Sequence, residues 1–465
     1  VKRNRIATGL IAVLVIASLL VVGCSKKATT TTTTKPATTT AAATTTKPAT
    51  TTAAATTTAA ATTTAKPPTT PAAPVKVGVM LGITGVQAPT SVEEINGLKY
   101  ALEQINKTGI QKLGGAKLEF VYSDHKSDAK VGLVEAERLM TQEKVSVILG
   151  PTNTGVATGI GPLADKYQVP LLDMGTSGDN IYPMNLSFWR TNGIPTTKTA
   201  EIGVDHLTDL VKTGKVKVDR IVIANPDTTS GKVGSDAILN RLKQNGLGDK
   251  VVQQLAYDPA ATDQSPLVLK IKAANPDVLF SQVLPADLIA IVKAMDSVGF
   301  NPPIWEFCTN TPSSPTVWAS LGQALTDKYL HRPGVFGDIG FAESLADNYK
   351  PAADFLRDYR VWAKANNVPE TISDYQVWAV GAMNILQKVL EDTGSRDPVV
   401  INNALKTFSL PLGDPKLINP AYAPALKWDA QGKVNGTFLL FQWRPEKNRL
   451  EIVWGPVTTA EPWLK

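Results

Sequence analysis

A short apolar run that stops at Gly-Pro and opens into a polar helix start constrains this chain more than any other stretch. Val145, Val147, Ile148 and Leu149 are apolar, and Gly150-Pro151 ends the run. Thr152, Asn153 and Thr154 then lead into a helical pattern from Gly155 to Tyr167. A buried strand followed directly by a helix is half of a βα unit. The first amides of a helix lack internal partners and carry the positive end of its dipole, so a small anion or polar acceptor can dock there. Asn153 or Thr154 can cap the helix and also donate to a ligand. An ordinary capped loop has the same composition, and the argument for a ligand is that similar loops recur.

The recurrence is regular. Lys76–Leu81 reads as a strand followed by the loop Gly82-Ile83-Thr84-Gly85, and Glu93–Lys107 as a helix with Ile95, Leu98, Leu102 and Ile105 on one face. Ala116–Tyr122 is a strand, Asp128–Gln142 a helix, and Val169–Leu172 a strand running into Asp173-Met174-Gly175-Thr176-Ser177. The pattern breaks near Ser187–Pro195 and restarts: strands at Arg220–Ala224, Val251–Ala256, Val278–Gln282 and Pro303–Cys308, helices at Lys232–Gln244, Ser265–Ala274 and Asp287–Val298. Helices follow at Lys350–Asn366 and Ser373–Asp392, and Gly436–Trp443 with Leu450–Trp454 alternates like an antiparallel hairpin. Strands and helices alternating at this spacing imply parallel sheets, and a restart of equal size implies two α/β lobes.

The N-terminus does not read as fold. Lys2, Arg3 and Arg5 precede an apolar run from Ile6 to Val22, which ends in Gly23-Cys24. That order reads as a secretory signal, with an uncleaved membrane anchor as the alternative. Cysteine after Val-Val-Gly resembles a bacterial lipobox, which implies a signal peptide over residues 1–23, cleavage before Cys24 and lipidation of its thiol. Residues 24–74 are then a lipidated cysteine and a disordered Thr/Ala/Pro/Lys tether, with no large apolar side chain to repay the entropy of folding. The first 74 residues hold eight of the 47 Lys and Arg and none of the 41 Asp and Glu, so the remaining 391 residues carry −2. The basic balance belongs to the leader and is no argument for nucleic acid.

Catalytic and metal chemistry is not indicated. Cys308 is the only other cysteine, so once Cys24 is lipidated no internal disulfide forms, and Cys308 reads as a buried free thiol. His125, His206 and His331 are scattered without metal spacing, and His125 reads as a solvated loop residue. Gly159-Ile160-Gly161-Pro162 lies inside a helix rather than at a strand-to-helix turn, and Ser230-Gly231-Lys232-Val233 lacks the remainder of a phosphate loop. No enzyme activity, cofactor or metal is expected.

In order along the chain, Val77-Gly78-Val79 through Gly85, Gly97…Ala101…Ile105-Asn106, Phe120–Asp124, Ser127-Asp128, Leu139-Met140, Gly150-Pro151 and Val169-Pro170 form a series. It continues with Arg190, Ala294…Ser297-Val298-Gly299, Asp374-Tyr375, Gly394-Ser395, Trp428-Asp429…Gly432 and Phe441-Gln442-Trp443. From about Val75 to Trp454 the chain resembles the branched-chain amino acid (leucine/isoleucine/valine) class of solute-binding proteins of ABC transporters. The resemblance implies a type I periplasmic-binding fold: two Rossmann-like α/β lobes with parallel sheets, joined by three hinge crossings. Lobe 1 would take residues 75–191 and 333–434, and lobe 2 residues 192–332 and 435–465. A small-molecule ligand would be trapped between them, with permease and ATPase subunits as partners and a lipid anchor holding the protein outside the cytoplasm on the cell membrane.

Carried over residue by residue, the resemblance places Thr154, with Asn153 beside it, at a ligand carboxylate, and Gly175, Thr176 and Ser177 in the next ligand-holding loop. In lobe 2, Ser230-Gly231 stands where many members have Tyr-Gly, and Gln282 or Val283 stands where an aromatic residue often sits. Cys308-Thr309-Asn310 stands where amino-acid binders often show an acid. Tyr375 matches an aromatic residue near the cleft. A buried ammonium needs an anion; Glu306, on the same strand face as Cys308, and the strand-end residues Asp227 and Asp287 are the candidates. Trp305, Phe307, Tyr182 and Trp378 suit either the pocket or the core. A branched-chain or related amino acid is therefore the first ligand reading, and a carboxylate or amide without an ammonium the second. A sensor that hands its closed form to a membrane receptor would share the fold and the site.

Overall fold

The computed structural model describes residues 72–455, apart from positions 423 and 438. The leader, Cys24 and the tether as far as residue 71 lie outside the described residues, as do residues 456–465.

The first lobe is built on β1 (Val75–Leu81), β2 (Leu118–Asp124), β3 (Val147–Leu149), β4 (Leu171–Asp173) and β5 (Trp189–Thr191), all parallel in the order β2-β1-β3-β4-β5. Its crossover helices are α1 (Ala88–Thr108), α2 (Ala129–Arg138) and α3 (Thr154–Tyr167). Helix α1 starts earlier than the apolar period suggests, because Pro89 occupies the first turn, where a missing N–H costs nothing. Helix α2 ends sooner and passes into a π turn at Leu139–Glu143.

The chain then crosses into α4 (Thr196–Lys212), β6 (Ile221–Pro226), α5 (Thr229–Gln244), β7 (Val251–Tyr257), α6 (Ser265–Ala274), β8 (Val278–Ser281), α7 (Pro285–Val298) and β9 (Ile304–Phe307). Two short helices follow, α8 (Pro315–Leu321) and α9 (Gln323–Tyr329), and then β10 (Val335–Ile339). It returns to lobe 1 for α10 (Lys350–Asn366), α11 (Asp374–Thr393), α12 (Pro398–Lys406) and the small pair β11 (Leu410–Pro411) and β12 (Ala425–Leu426). The hairpin β13 (Leu439–Arg444) and β14 (Arg449–Trp454) closes the second sheet, whose order is β14-β13-β10-β9-β8-β6-β7.

One boundary differs from the sequence reading. The return crossing was expected after residue 332, yet β10 pairs in parallel with β9, and β13 lies antiparallel to β10. Residues 335–339 therefore belong to the second sheet, and the crossing falls at Gly340. Val335–Ile339 does not read as a buried strand because it carries a central glycine and Asp338, which is fully buried.

Packing follows from strand alternation. On β9, Trp305 and Phe307 face a core shared with Leu288, Ile291 and Met295 of α7. Phe280 and Cys308 join the opposite cluster with Ala200, Val204 and Leu207 of α4. In lobe 1, α11 lies along α1 at Gly97, where a Cβ would stand 2.6 Å from the Gln376 carbonyl oxygen. The crossings are fixed by lobe 1 side chains. Tyr422 Oη donates to Asn192 O at 2.8 Å, Trp428 Nε1 to Thr191 O at 2.7 Å, and Gly340 N to Asp374 Oδ2 at 2.8 Å.

Candidate functional site in the interlobe cleft

The loops after β1, β3 and β4 of lobe 1 and after β6, β8 and β9 of lobe 2 line one cavity of about 450 Å³, a volume suited to a small solute. Open α/β sheets gather ligands at the carboxyl ends of their strands because loop side chains and helix N-termini meet there. Asn153, Thr154, Gly175, Thr176, Ser177, Asp227, Ser230, Gln282, Val283, Cys308 and Tyr375 all line this cavity. The structure brings these residues together; Glu306, Asp287, Trp305, Phe307 and Tyr182, also weighed for the pocket, do not line it.

The wall from lobe 1 is tied down by its own hydrogen bonds. Asn153 caps α3, its Oδ1 accepting from Val156 N at 3.0 Å, while its Nδ2 donates to Gln87 Oε1 at 2.7 Å. Gln87 in turn donates to Thr152 O at 3.0 Å. Asn153 therefore shapes the wall, with its oxygen and one of its two amide hydrogens committed. Thr154 Oγ1 accepts from Gly178 N at 3.2 Å, which leaves the hydroxyl hydrogen uncommitted among the described residues. Buried Asp173 turns the next loop: Oδ1 accepts from Gly175 N at 3.0 Å and Thr176 N at 2.9 Å, and Oδ2 from Trp189 Nε1 at 3.3 Å. Gly175 is required here, since a Cβ would sit 2.5 Å from Trp378 Cε3. Trp378 meets Tyr375 edge-on, with ring centroids 5.5 Å apart, and together they form the aromatic end of the cavity.

The wall from lobe 2 is less committed. Thr228 caps α5 by accepting from Gly231 N at 3.1 Å, and its hydroxyl lies 3.4 Å from that of Ser230. Asn225 Oδ1 accepts from Gln282 N at 2.8 Å, yet Gln282 Oε1 is buried without a partner. Asn310 Nδ2 and, across the cavity, Thr176 Oγ1 are also buried without partners among the described residues. Cys308 is a buried free thiol that burial pushes well above the usual thiol range, so it lines the cleft as a neutral group.

Of the acids considered for an ammonium, Glu306 and Asp287 lie outside the cavity and Asp227 lies at its rim. Glu306 is fully buried and accepts from His206 Nδ1 at 2.9 Å, behind the second sheet. Asp287 accepts from Leu284 N at 2.6 Å and from Tyr257 Oη at 2.8 Å, and burial pushes it up to about 7. Asp227 lines the rim and pairs with Lys232 Nζ at 2.9 Å, with both side chains more than half exposed. Trp305, Phe307 and Tyr182 pack in the core, and of the four aromatic candidates Trp378 lines the cavity. His125 is not solvated: it is fully buried, Nδ1 accepting from Ser127 N at 3.1 Å and Nε2 donating to Pro151 O at 3.1 Å. Burial lowers its pKa.

Glu93 joins the two walls behind the cleft. It belongs to α1, and its carboxylate accepts from Ser314 Oγ and from Thr316 N at 3.0 Å, both at the start of α8 in lobe 2. It also accepts from Ser373 Oγ at 2.7 Å in lobe 1. Glu94 beside it is buried and pushed up to about 8, chiefly by burial, with Asp173 and Glu93 acting in the same direction.

Sequence reasoning passed over Gln87, Thr90, Thr152 and Thr199, which line the cavity as well. Gln87 had a signal: it follows β1 and precedes a helix with proline in its first turn, as Asn153 follows β3 and precedes α3. Among the described residues no group of three His, Cys, Asp or Glu is placed to hold a metal ion.

Known proteins share this architecture. The isoleucine-bound substrate-binding protein of the branched-chain amino acid transporter of Streptococcus pneumoniae aligns over 82% of this chain and 99% of its own, at TM-score 0.66 and 18% identity. A solute-binding protein of an ABC transporter from R. palustris, in complex with benzoate, aligns over 83% and 99%, at TM-score 0.65 and 15% identity. At such identities these neighbours establish the fold, a two-lobed type I periplasmic binding protein. Leu/Ile/Val-binding protein homolog 7 of Brucella suis biovar 1 (strain 1330) is 28% identical over 236 residues, which is 50% of this chain and 57% of that relative. The match thus spans little more than half the length of the curated relative. A family model described as periplasmic binding protein matches residues 74–448, and the chain belongs to that family.

Proposed function

We propose that the chain is the extracytoplasmic solute-binding component of an ABC importer, which traps a small polar solute between its lobes and presents the closed form to permease and ATPase subunits. The observation that carries this reading is the cavity itself. It is lined from both lobes by helix starts, hydroxyls and amides, and part of its hydrogen-bonding capacity is unused. Leu/Ile/Val-binding relatives and isoleucine- and benzoate-bound neighbours support solute capture as the general role. The three crossings supply a hinge, and a ligand that touches both walls favours the closed form by its differential affinity.

No catalytic role is assigned. His125 and His206 are engaged in buried hydrogen bonds, and His331 is stacked on Trp443 at 3.7 Å. No helix among the described residues is long and apolar enough to cross a membrane, and we place the anchor at a lipid on Cys24. Cys24→Ala should release the protein from membranes or leave its precursor unprocessed; a membrane-bound variant of mature size overturns the anchor. The capture reading is tested by small-angle scattering with leucine, isoleucine, valine, benzoate and 4-methylpentanoate. At least one should reduce the radius of gyration at saturation. Unchanged scattering and unchanged melting with the whole set overturn the reading.

A further inference from the structure

The charge around the cavity restricts what can be captured. Asp128, Asp227 and Lys232 are the charged side chains among the residues that line it. Asp227 and Lys232 neutralise each other at the exposed rim. Asp128, also exposed, accepts from Lys130 N at 2.8 Å and Val131 N at 3.0 Å as the cap of α2. The inner wall is therefore neutral, and the buried acids behind it are held by other groups: Asp173 by Gly175 N, Thr176 N and Trp189, Asp374 by Gly340 N, Glu93 by Ser314 and Ser373, Glu306 by His206 and Asp287 by Tyr257, while burial pushes Glu94 up to about 8.

Three helices begin at this wall. Thr154 and Gly155 open α3, Thr229 and Ser230 open α5, and Leu284 caps α7, and all of these residues line the cavity. Each helix brings the positive end of its dipole to the same space. With them stand three buried groups that have no partner, Thr176 Oγ1, Gln282 Oε1 and Asn310 Nδ2, and the uncommitted hydroxyl hydrogen of Thr154. A carboxylate gains from the dipoles and from donors such as Thr154 and Asn310. An ammonium at the inner wall would enter a positive potential with no carboxylate among the inner lining residues to pair with, and an unpaired buried charge is costly.

We infer that this cleft selects a small carboxylate that carries no ammonium group, its apolar or ring body lying against Tyr375, Trp378 and Val283. The inference rests on the solute-capture reading and narrows it. Cys308-Thr309-Asn310 lines the cleft with a thiol, a hydroxyl and an amide and supplies no carboxylate.

The test uses matched pairs that differ in the ammonium alone: leucine against 4-methylpentanoate, and phenylalanine against 3-phenylpropanoate. Binding to the full chain is measured by calorimetry and thermal shift, and closure by scattering. At least one deaminated acid should bind, at least tenfold more tightly than its amino acid. Thr154→Val should weaken that acid about tenfold, and Asn310→Asp should reduce or invert the ratio. An amino acid that binds as tightly as its deaminated partner overturns the inference while leaving solute capture intact. Binding by neither member of either pair also overturns it, and capture then stands or falls on closure by the remaining probes. The wild-type comparison decides the matter even where a variant fails to fold.

Discussion

The two walls of the cleft are made of similar residues and do different things. The lobe 1 wall is largely held by its own bonds: Asn153 links α3 to Gln87, Asp173 fixes the loop at Gly175 and Thr176, and Thr154 receives Gly178, while the Thr152 and Thr176 hydroxyls and Trp378 Nε1 have no partner among the described residues. The lobe 2 wall caps its helix at Thr228 but leaves Gln282 Oε1 and Asn310 Nδ2 without partners. An unsatisfied buried polar group costs about 1–3 kcal/mol, and a ligand that reaches it recovers that cost. One wall is therefore formed in advance, and the other is completed by its ligand. Substitutions in the first should register as stability, and substitutions in the second as affinity.

The largest effect should come from beneath the first wall. Glu94 stands at about 8 in the fold, against an ordinary value of 4.5. The folded state thus holds a proton that the unfolded chain releases, and stability falls as pH rises from about 4.5 to 8. Glu94→Gln should flatten that slope and raise stability at pH 8 by a few kcal/mol, seen in denaturant melts across the range. An unchanged slope means that Glu94 is not protonated in the fold. Asp287, at about 7, should contribute a smaller slope of the same sign beneath the second wall, removed in Asp287→Asn.

Next in size is Gly175→Ala, whose Cβ would overlap Trp378. About 2–3 kcal/mol of stability should be lost, as for overpacked cores in general. Trp378→Ala should relieve the clash, so the double variant should cost less than the two single changes added together. Strict additivity would show that the ring moves aside without cost.

Asn153→Ala should cost about 1–2 kcal/mol, because a helix cap and the Gln87 bond are lost together. The smallest effect on stability, near zero or slightly favourable, is expected for Gln282→Ala and Asn310→Ala, which remove buried groups that have no partner. Asn310→Ala, which removes a donor, should also weaken ligand affinity at least tenfold by calorimetry. A destabilised Asn310→Ala with full affinity would reverse the contrast between the walls.

Much of this was legible before any coordinates. The bounds of α10 follow from its apolar period, and the loops after β3 and β4 follow from strands that end in hydroxyl and amide residues. Local periodicity carries that information. What it does not carry is the partner of a buried polar group. Glu93 looks like a solvated helix residue until Ser373, 280 positions away, is beside it. His125 looks like a loop residue until Pro151 covers it. Strand β10 was hidden for the same reason: a fully buried Asp338 violates the apolar pattern by which buried strands are read. In the cleft, the residue types were readable and their commitments were not. Asn153 and Thr154 are neighbours with similar chemistry, yet Asn153 commits its oxygen and one amide hydrogen within the wall, while the hydroxyl hydrogen of Thr154 is uncommitted among the described residues.

The hairpin of β13 and β14 closes the second sheet at its β10 edge, and it follows every helix of lobe 1 in the chain. During synthesis, β10 is made with its outer edge open and waits until α10, α11 and α12 have emerged before β13 can cover it. The first lobe waits as well, because α11 packs along α1 at Gly97 only after the whole of β6–β10 has been made. Neither lobe can be finished on the ribosome while the other is absent, and a nascent chain halted near residue 430 would expose an unpaired strand edge.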